Sequence, residues 1–194
     1  MFNLSLKSLL VPAVLLSSTH VLAAWQVEND HSRVNFVSVK NNSVAENHHF
    51  KNIAGELSDD GQFSLEIDLA SVETQIPIRN ERMQKFLFNT LEFPTMSVTA
   101  DVKALLDEVK AKGWAQAEVP AQLALHGQKK TQNINLIATL DKKNKIVVSS
   151  LSPVLVNPSD FALMAGIDEL QKIAGLQSIT RAVPVSFVLT LNDK

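Results

Sequence analysis

Along most of the chain, apolar and polar residues alternate with a period of two, and turn-forming residues interrupt the alternation repeatedly. Successive side chains of a β-strand point to opposite faces, so this pattern is typical of strands that bury one face in a core. The connections between the runs are mostly short and polar, which favours antiparallel pairing. The alternating runs span residues 32–39, the less regular 44–57, 63–69, 96–102, 119–125, 134–140, 145–156 and 183–191.

About eight strands of this kind predict an all-β domain, arranged as an antiparallel sandwich or barrel. Three polar turns support the strand boundaries: Asp59-Asp60-Gly61, residues 127–130 and residues 141–144. We favour a barrel of about eight strands, because such a barrel leaves an interior wide enough for side chains or one slender ligand.

Two segments depart from the period of two and predict one or two short helices. In residues 79–90, Met83, Phe86 and Leu87 fall on one helical face, and Asn80 is suited to cap the start. Pro94 prevents the helix from continuing into the next strand.

The second helical segment spans residues 157–175, with Asn157 as its cap and Gly175 just past its end. Gly166 inside this helix costs about 1 kcal/mol relative to alanine. The apolar stripe of the helix consists of Leu163, Met164, Ile167, Leu170 and Ala174.

Residues 1–23 have the order of regions found in a secretory signal peptide: Lys7, then an apolar run, then the small-residue ending Val21-Leu22-Ala23. The apolar run is far shorter than the roughly 18 residues that suggest a membrane span. We therefore expect cleavage after Ala23, with Ala24 as the next candidate, export to the periplasm, and residues 24–194 as one domain in solution, without stable membrane insertion.

Composition and spacing exclude several classes of function. The formal net charge of −2 gives no reason for binding to nucleic acid, and the absence of cysteine excludes thiol chemistry. His48 and His49 are adjacent, so they cannot share one face of a strand as metal ligands. Asp30-His31-Ser32 are neighbours on the chain and cannot form a catalytic relay, and no Gly-x-Ser-x-Gly motif is present. We expect no enzyme activity, metal or cofactor.

One set of motifs runs in order through nearly all of residues 24–194. It consists of Trp25, Asp30-His31-Ser32, Val34, Phe36, Ser71-Val72-Glu73-Thr74, Arg79-Asn80-Glu81-Arg82-Met83, Phe86-Leu87-Phe88, Phe93-Pro94, Leu125, Gly127 and Lys130. This set resembles the YceI family of periplasmic, lipocalin-like proteins, although Asn80 stands where the family has aspartate and Arg82-Met83 where it has His-Leu.

This resemblance implies a lipocalin-like barrel that encloses a polyisoprenoid, such as a prenyl-quinone or prenyl phosphate, or a similar long-chain amphiphile. We expect a periplasmic carrier or reservoir for such a lipid. Arg79 or Arg82 is expected near a polar headgroup, although Arg79 could equally brace the barrel through hydrogen bonds. The side chains expected in the cavity are Phe36, Met83, Phe86, Phe93 and Met164.

A different function is also open, namely a periplasmic interaction or stress-related module whose barrel is filled by its own side chains and carries no lipid. If a lipid does bind, it must enter at a mouth of the barrel, because a closed barrel has no lateral edge. The two helical segments are the expected lids, and Gly166 and Gly175 would give the second lid freedom to move.

Overall fold

The period-two sequence pattern becomes a period-two pattern of burial. In the strand Trp114–Leu125, the odd-numbered side chains are buried or half-buried, and the even-numbered ones are mostly exposed. The computed structural model describes residues 23–194, so the expected signal peptide lies almost entirely outside the described residues and stays a prediction. The expected cleavage after Ala23 is likewise untested.

Twelve strands lie within residues 23–194. They are β1 (Ala23–Val27), β2 (Arg33–Lys40), β3 (Val44–Phe50), β4 (Ile53–Ser58), β5 (Gln62–Asp68), β6 (Val72–Glu73), β7 (Thr95–Asp101), β8 (Trp114–Leu125), β9 (Gln128–Leu140), β10 (Ile146–Ser150), β11 (Val154–Val156) and β12 (Val183–Asp193).

Eight of these strands close into an antiparallel barrel, as the sequence predicts. The ring runs β1-β4-β5-β7-β8-β9-β10-β12, and β12 pairs again with β1 through Trp25 opposite Asp193. The long β12 also pairs with β2, from which β3 and β6 continue, and with the short β11. The barrel wall is therefore extended at one end by these additional strands.

Side-chain hydrogen bonds stabilise the backbone where a barrel strand ends and an extension strand begins. The predicted strand over residues 44–57 is two strands, β3 and β4, separated by Lys51 and Asn52. The backbone N–H of Asn52 donates to Ser71 Oγ at 3.0 Å, and that of Ile53 donates to Asn29 Oδ1 at 2.8 Å. These side chains replace the ladder bonds that a continuous strand would make.

The first helical segment begins earlier than predicted. The helix α1 spans Pro77–Arg82 and continues as a π-helix over Met83–Phe88, which ends at the left-handed residue Asn89. Pro77 is favourable in the first turn because its missing N–H would have no helical partner. Asn80 is not the cap that the sequence predicts, since its side chain bonds to residues before the helix.

The second helical segment is divided. Pro158–Phe161 forms a 3₁₀ turn, Ala162 is left-handed with φ 54°, and the helix proper (Met164–Ile173) ends shortly before Gly175, whose φ is 63°. Gly166 lies where the two helical segments pack together, and the freedom of movement expected of it stays a prediction. A Cβ atom built on it would lie 2.5 Å from the carbonyl oxygen of Phe86, so glycine is required for the close contact between the two helical segments.

One helix was not predicted, and it closes the other end of the barrel. The helix α2 spans Lys103–Lys112, and the helix Met164–Ile173 is therefore α3. Leu105, Leu106 and Val109 of α2 are buried, and Gly113 ends the helix with φ 80°. Their spacing is helical, but it directly follows an alternating run, whose stronger signal favours a strand there.

We call the end of the barrel at α2 the lower end and the opposite end, at α1, the π-helix and α3, the upper end. At the lower end, Val102 N–H donates to the carbonyl of Gly61 and Leu140 N–H donates to that of Gly113, both at 2.8 Å. At the upper end, α3 packs on the π-helix. No helix within residues 23–194 is long and apolar enough to cross a membrane.

Candidate functional site

The barrel encloses a cavity of about 540 Å³, within the range of roughly 300–1,000 Å³ that is usual for ligand pockets. Inward-facing residues of the barrel strands form most of its wall, and residues of α1, the π-helix, α2 and α3 complete it. The interior is thus not filled by the protein's own side chains. The alternative function, an interaction module with a filled barrel and no lipid, requires an interior without such a cavity.

Apolar side chains form most of the cavity wall, and two of them are small alanine side chains that leave space for a ligand. Ala100 and Ala121 lie opposite each other on β7 and β8, and both line the cavity. Leu65 on β5, Leu123 on β8 and Leu136 on β9 also line the cavity and are at most 8% exposed. A cavity with such a lining favours an apolar ligand, because there is no partner for a polar group in its lower part.

The polar residues that line the cavity belong to the upper end, on β2, β3, α1 and the segment after α3. They are Ser38, Lys40, Glu46, His48, Arg79, Arg82 and Thr180. We call this set the polar rim. It sits beside exposed apolar side chains that also line the cavity, Ile76 and Ile78, so the cavity meets solvent at this end.

Glu46 is the centre of the polar rim. Its Oε2 accepts from Lys40 Nζ at 2.7 Å and from an Arg79 guanidinium nitrogen at 2.6 Å. The hydrogen bond from Lys40 and the nearby Arg79 guanidinium hold the pKa of Glu46 below its ordinary value. The carboxylate is therefore ionised at neutral pH and joins the β2–β3 hairpin to α1.

His48 lies directly below Glu46 on the same face of β3, and its side chain is 3% exposed. Its Nε2 is 2.9 Å from Ser38 Oγ, and its ring centroid is 5.2 Å from that of Phe36. Burial, together with the positive charge of Arg79, lowers the pKa of His48 to about 4. The imidazole is therefore neutral at physiological pH.

Two buried polar atoms of the polar rim have no hydrogen-bond partner within residues 23–194. They are His48 Nδ1 and Arg79 Nε. The other nitrogens of Arg79 are engaged, because one donates to Glu46 and another to the carbonyl of Thr74. Arg79 thus braces the barrel through hydrogen bonds, which is one of its two expected roles, and its Nε–H has no acceptor.

Asn80 organises the segment before α1. Its Oδ1 accepts from the backbone N–H of Thr74 at 2.9 Å and from the Thr74 hydroxyl at 2.6 Å. Its Nδ2 donates to Glu73 Oε1 at 3.1 Å. This bond, with those from Gln75 N–H and Lys51, lowers the pKa of Glu73 to about 2. Ser71 acts in the same segment, donating to the carbonyl of Asp68 at 2.6 Å.

Four of the seven residues expected to contact a ligand line the cavity: Phe36, Arg79, Arg82 and Met83. Phe36 and Met83 are buried at the upper end, and Arg82 belongs to the polar rim. The structure brings these residues together on one side of the cavity. Their contact with a ligand stays a prediction.

The other three residues are not part of the cavity wall, which corrects their expected position. Phe86 is 36% exposed because the π-helix turns its neighbours Met83 and Leu87 inward instead, and Lys85 lies over its ring. Phe93 packs on the ring of His126 in the β8–β9 turn, at 4.3 Å between centroids. Met164 is at the start of α3, one turn before the lining residue Ile167.

The sequence profile of the YceI-like domain matches residues 25–191. This chain belongs to the YceI family. No curated protein matches the sequence. Among solved structures, a polyisoprenoid binding domain from Saccharophagus degradans, implicated in plant cell wall breakdown, is 35% identical to this YceI-family chain. The match covers 89% of this chain and 100% of that domain, with a TM-score of 0.85.

Two more distant structures share the fold of this YceI-family chain. BcnA of Burkholderia cenocepacia is 17% identical, with 84% of this chain and 98% of that chain covered and a TM-score of 0.65. The YCEI protein of Campylobacter jejuni is 16% identical, with 76% and 84% covered and a TM-score of 0.55. Both comparisons support the lipocalin-like barrel.

Five residues of the polar rim of this YceI-family chain are not among the site residues expected from the sequence: Ser38, Lys40, Glu46, His48 and Thr180. The signal was present, because Glu46, His48 and Phe50 alternate on one face of a strand. Polar and charged residues are unusual on the inward face of a barrel strand, so this alternation indicates a site and not only a core. Within the described part of the chain, no three His, Cys, Asp or Glu side chains are grouped as a metal site would require.

Proposed function

We propose that this chain binds a polyisoprenoid or a similar long-chain lipid in the barrel cavity and serves as a periplasmic carrier or reservoir for it. The observation that supports the proposal most strongly is the cavity itself, about 540 Å³ in volume and lined by apolar side chains below a single polar rim. One end of an amphiphile would lie at the rim and its chain would extend towards α2. No catalytic step is part of the proposal.

The free energy of burial is ample for such a ligand. Each buried methylene contributes about 0.8 kcal/mol, so a five-carbon isoprenoid unit would contribute roughly 4 kcal/mol before costs. The ordering of a flexible chain opposes this gain. Selection among lipids therefore depends on the length and shape of the cavity more than on apolar area. The polyisoprenoid-binding domain of Saccharophagus degradans, which is 35% identical, supports the choice of lipid class.

Extraction of the native protein tests the proposal. The full chain is expressed in a Gram-negative host with its residues 1–23, purified from the periplasmic fraction without detergent, and extracted with organic solvent for mass spectrometry. We expect close to one polyisoprenoid lipid per protein molecule and a mature N-terminus at Ala24. Protein that is correctly folded but yields no lipid would contradict the binding role. Protein that is found only in the cytoplasm would contradict the location and leave the binding role intact.

A further inference from the structure

We infer that the mouth of the barrel docks transiently onto a lipid bilayer, and that three consecutive residues, Ile76-Pro77-Ile78, enter the bilayer surface while the lipid is exchanged. We call these residues the apolar tip. The inference rests on the proposed function and adds the surface with which the carrier exchanges its lipid. It depends on the exposure of the tip, on its continuity with the cavity, and on the charge of the helical segment that follows it.

The apolar tip is exposed to solvent in a conformation that hydrogen bonds maintain. Ile76, Ile78 and the proline between them are all exposed. Before the tip, the Gln75 N–H donates to Glu73 Oε1 at 2.6 Å. After it, the Arg79 N–H donates to the carbonyl of Ile76 at 2.9 Å. The two isoleucines are thus held in water, and contiguous apolar surface that a fold keeps in water is typical of a surface that binds a partner.

The apolar tip is also part of the cavity wall, so the apolar interior of the barrel continues to the protein surface here. Ile76 and Ile78 both line the cavity. On the segment after α3, the exposed Ala174 and the half-buried Leu176 line it as well. The mouth therefore has an apolar border beside the polar rim. A lipid chain can leave along this border without contact with water only if the border faces another apolar medium.

A bilayer is the partner that the chemistry of the lipid requires. By the free energy of burial given above, each five-carbon unit lowers the equilibrium concentration of the lipid in water by roughly a thousandfold. A carrier that released a chain of several units into water would therefore exchange it extremely slowly. Docking removes this barrier, because the chain then moves directly between the bilayer interior and the cavity.

The helical segment behind the apolar tip has the charge that suits a bilayer with anionic lipids. Its charged residues are three cations and one carboxylate, namely Arg79, Arg82, Lys85 and Glu81. Arg79 is paired with Glu46, and within residues 23–194 no carboxylate lies within 4 Å of the other two cations. Arg82 is one helical turn after Ile78, and Lys85 is exposed. A cation at the surface of an anionic bilayer strengthens binding about fivefold.

Quenching of tryptophan fluorescence by brominated phospholipids tests the position of the apolar tip. The vesicles contain phosphatidylethanolamine and phosphatidylglycerol. Ile78→Trp is made in a Trp114→Phe background, so that the only other indole is that of the buried Trp25. We expect the vesicles to quench the fluorescence of the Ile78→Trp variant strongly.

Leu151→Trp in the same background is the matched control, since Ile78 and Leu151 are 49% and 50% exposed. Leu151 lies outside the cavity wall, and its N–H donates to the carbonyl of Asn135 on β9. Its variant should show no quenching. Equal quenching of the two variants, or quenching of neither, would overturn the inference.

Vesicle flotation measures how much the apolar tip contributes to docking. The double variant Ile76→Ser with Ile78→Ser should bind roughly tenfold or more weakly than the wild type, because two apolar side chains no longer enter the bilayer. Lys85→Gln should bind about fivefold more weakly to vesicles with phosphatidylglycerol and equally to vesicles of phosphatidylcholine alone. Trp114 is the exposed aromatic residue next to α2, and loss of binding in Trp114→Ser alone would place docking at the lower end and overturn the inference.

Extraction of lipid from the same preparations distinguishes failure of this inference from failure of the proposed function. Wild-type protein that contains a polyisoprenoid but does not bind vesicles would overturn the inference while the proposed function stands. Protein that binds vesicles but neither contains lipid nor takes it up from them would contradict the proposed function. Self-association that is lost in the double variant, without vesicle binding, would show that the tip binds a second copy of the chain and would also overturn the inference.

Discussion

The lower and upper parts of the barrel interior are made by the same sheet, yet they differ in almost every property that matters for a ligand. The lower part has closely bonded strands and buried aliphatic side chains such as Leu57, Ile146 and Leu191. The upper end combines extension strands, helices in direct contact and a rim that contains Glu46 and Arg82. Under the proposed function, the lower part would hold the lipid chain and the upper end would admit the lipid.

The largest effect is expected from a charge placed in the apolar wall of the barrel. Leu123→Asp puts a carboxylate at a 3% exposed position of β8 where no cation lines the cavity nearby. We expect the free energy of unfolding to fall by about 3–5 kcal/mol in urea denaturation. Gln122→Asp, on the outward face of the same strand, should change it by less than about 0.5 kcal/mol. Equal effects would show that the barrel interior at this position is not a dry apolar region.

A smaller effect is expected where the two helical segments meet. Gly166→Ala introduces a methyl group that would lie 2.5 Å from the carbonyl oxygen of Phe86 and 2.7 Å from Leu87 Cα, so α3 must move away from the π-helix. We expect a loss of about 1–3 kcal/mol in stability. Hydrogen exchange should become faster in α3 and the π-helix and stay unchanged in β8 and β9. Uniform acceleration throughout the barrel would contradict the separation into two regions.

Neighbouring residues of the π-helix test the wall of the upper end. Leu87→Asp introduces a charge on the cavity side, whereas Phe86→Asp introduces the same charge at a residue that is 36% exposed and outside the cavity wall. We expect lipid retention after detergent-free purification to fall severalfold in Leu87→Asp and to change little in Phe86→Asp. Thermal unfolding of both variants controls for loss of the fold. Loss of lipid in a folded Phe86→Asp variant would show that Phe86 contacts the ligand after all.

The smallest effect concerns the segment that positions α1. Because the pKa of Glu73 is lowered to about 2, its contribution to stability is present above its ordinary pKa of 4.5 and is lost as pH falls through about 2. Asn80→Asp replaces the amide donor by a second carboxylate and should raise the pKa of Glu73. We therefore expect lower stability at pH 7 and an acid transition that begins at higher pH.

Urea denaturation between pH 2 and pH 7 measures this shift. The double variant Glu73→Gln with Asn80→Asp should recover much of the loss at pH 7, because one of the two facing charges is absent. No recovery in the double variant would show that Asn80 acts through Thr74 instead, with which it makes two hydrogen bonds.

How far the sequence predicted the structure differs between the two regions. The barrel wall follows from alternation, since residues such as Leu123 and Leu136 are apolar at every second position and are buried in the barrel. Strand breaks were missed because Ser71 and Asn29, distant in sequence, supply the side-chain bonds that stabilise them. The helix α2 was missed because its short apolar pattern lies between two strands.

The upper end was predicted in outline and not in detail. The resemblance to the YceI family selected Arg79, Arg82 and Met83, all of which line the cavity. Phe86 was misplaced because the widened turn of the π-helix changes which residues face inward. Glu46 reaches Arg79 across 33 residues of sequence, and such pairs of distant residues have no local signal.

The central claim is that the ligand occupies the barrel interior, and a variant that fills this space tests it most directly. Ala121→Phe directs a benzyl group from β8 into the cavity, opposite the small side chain of Ala100, whereas Gln122→Phe adds the same group to the outer face. The measurement is the molar ratio of extracted lipid to folded protein for both variants and the wild type. The account predicts a ratio reduced severalfold in Ala121→Phe and unchanged in Gln122→Phe. A full complement of lipid in folded Ala121→Phe protein would contradict it.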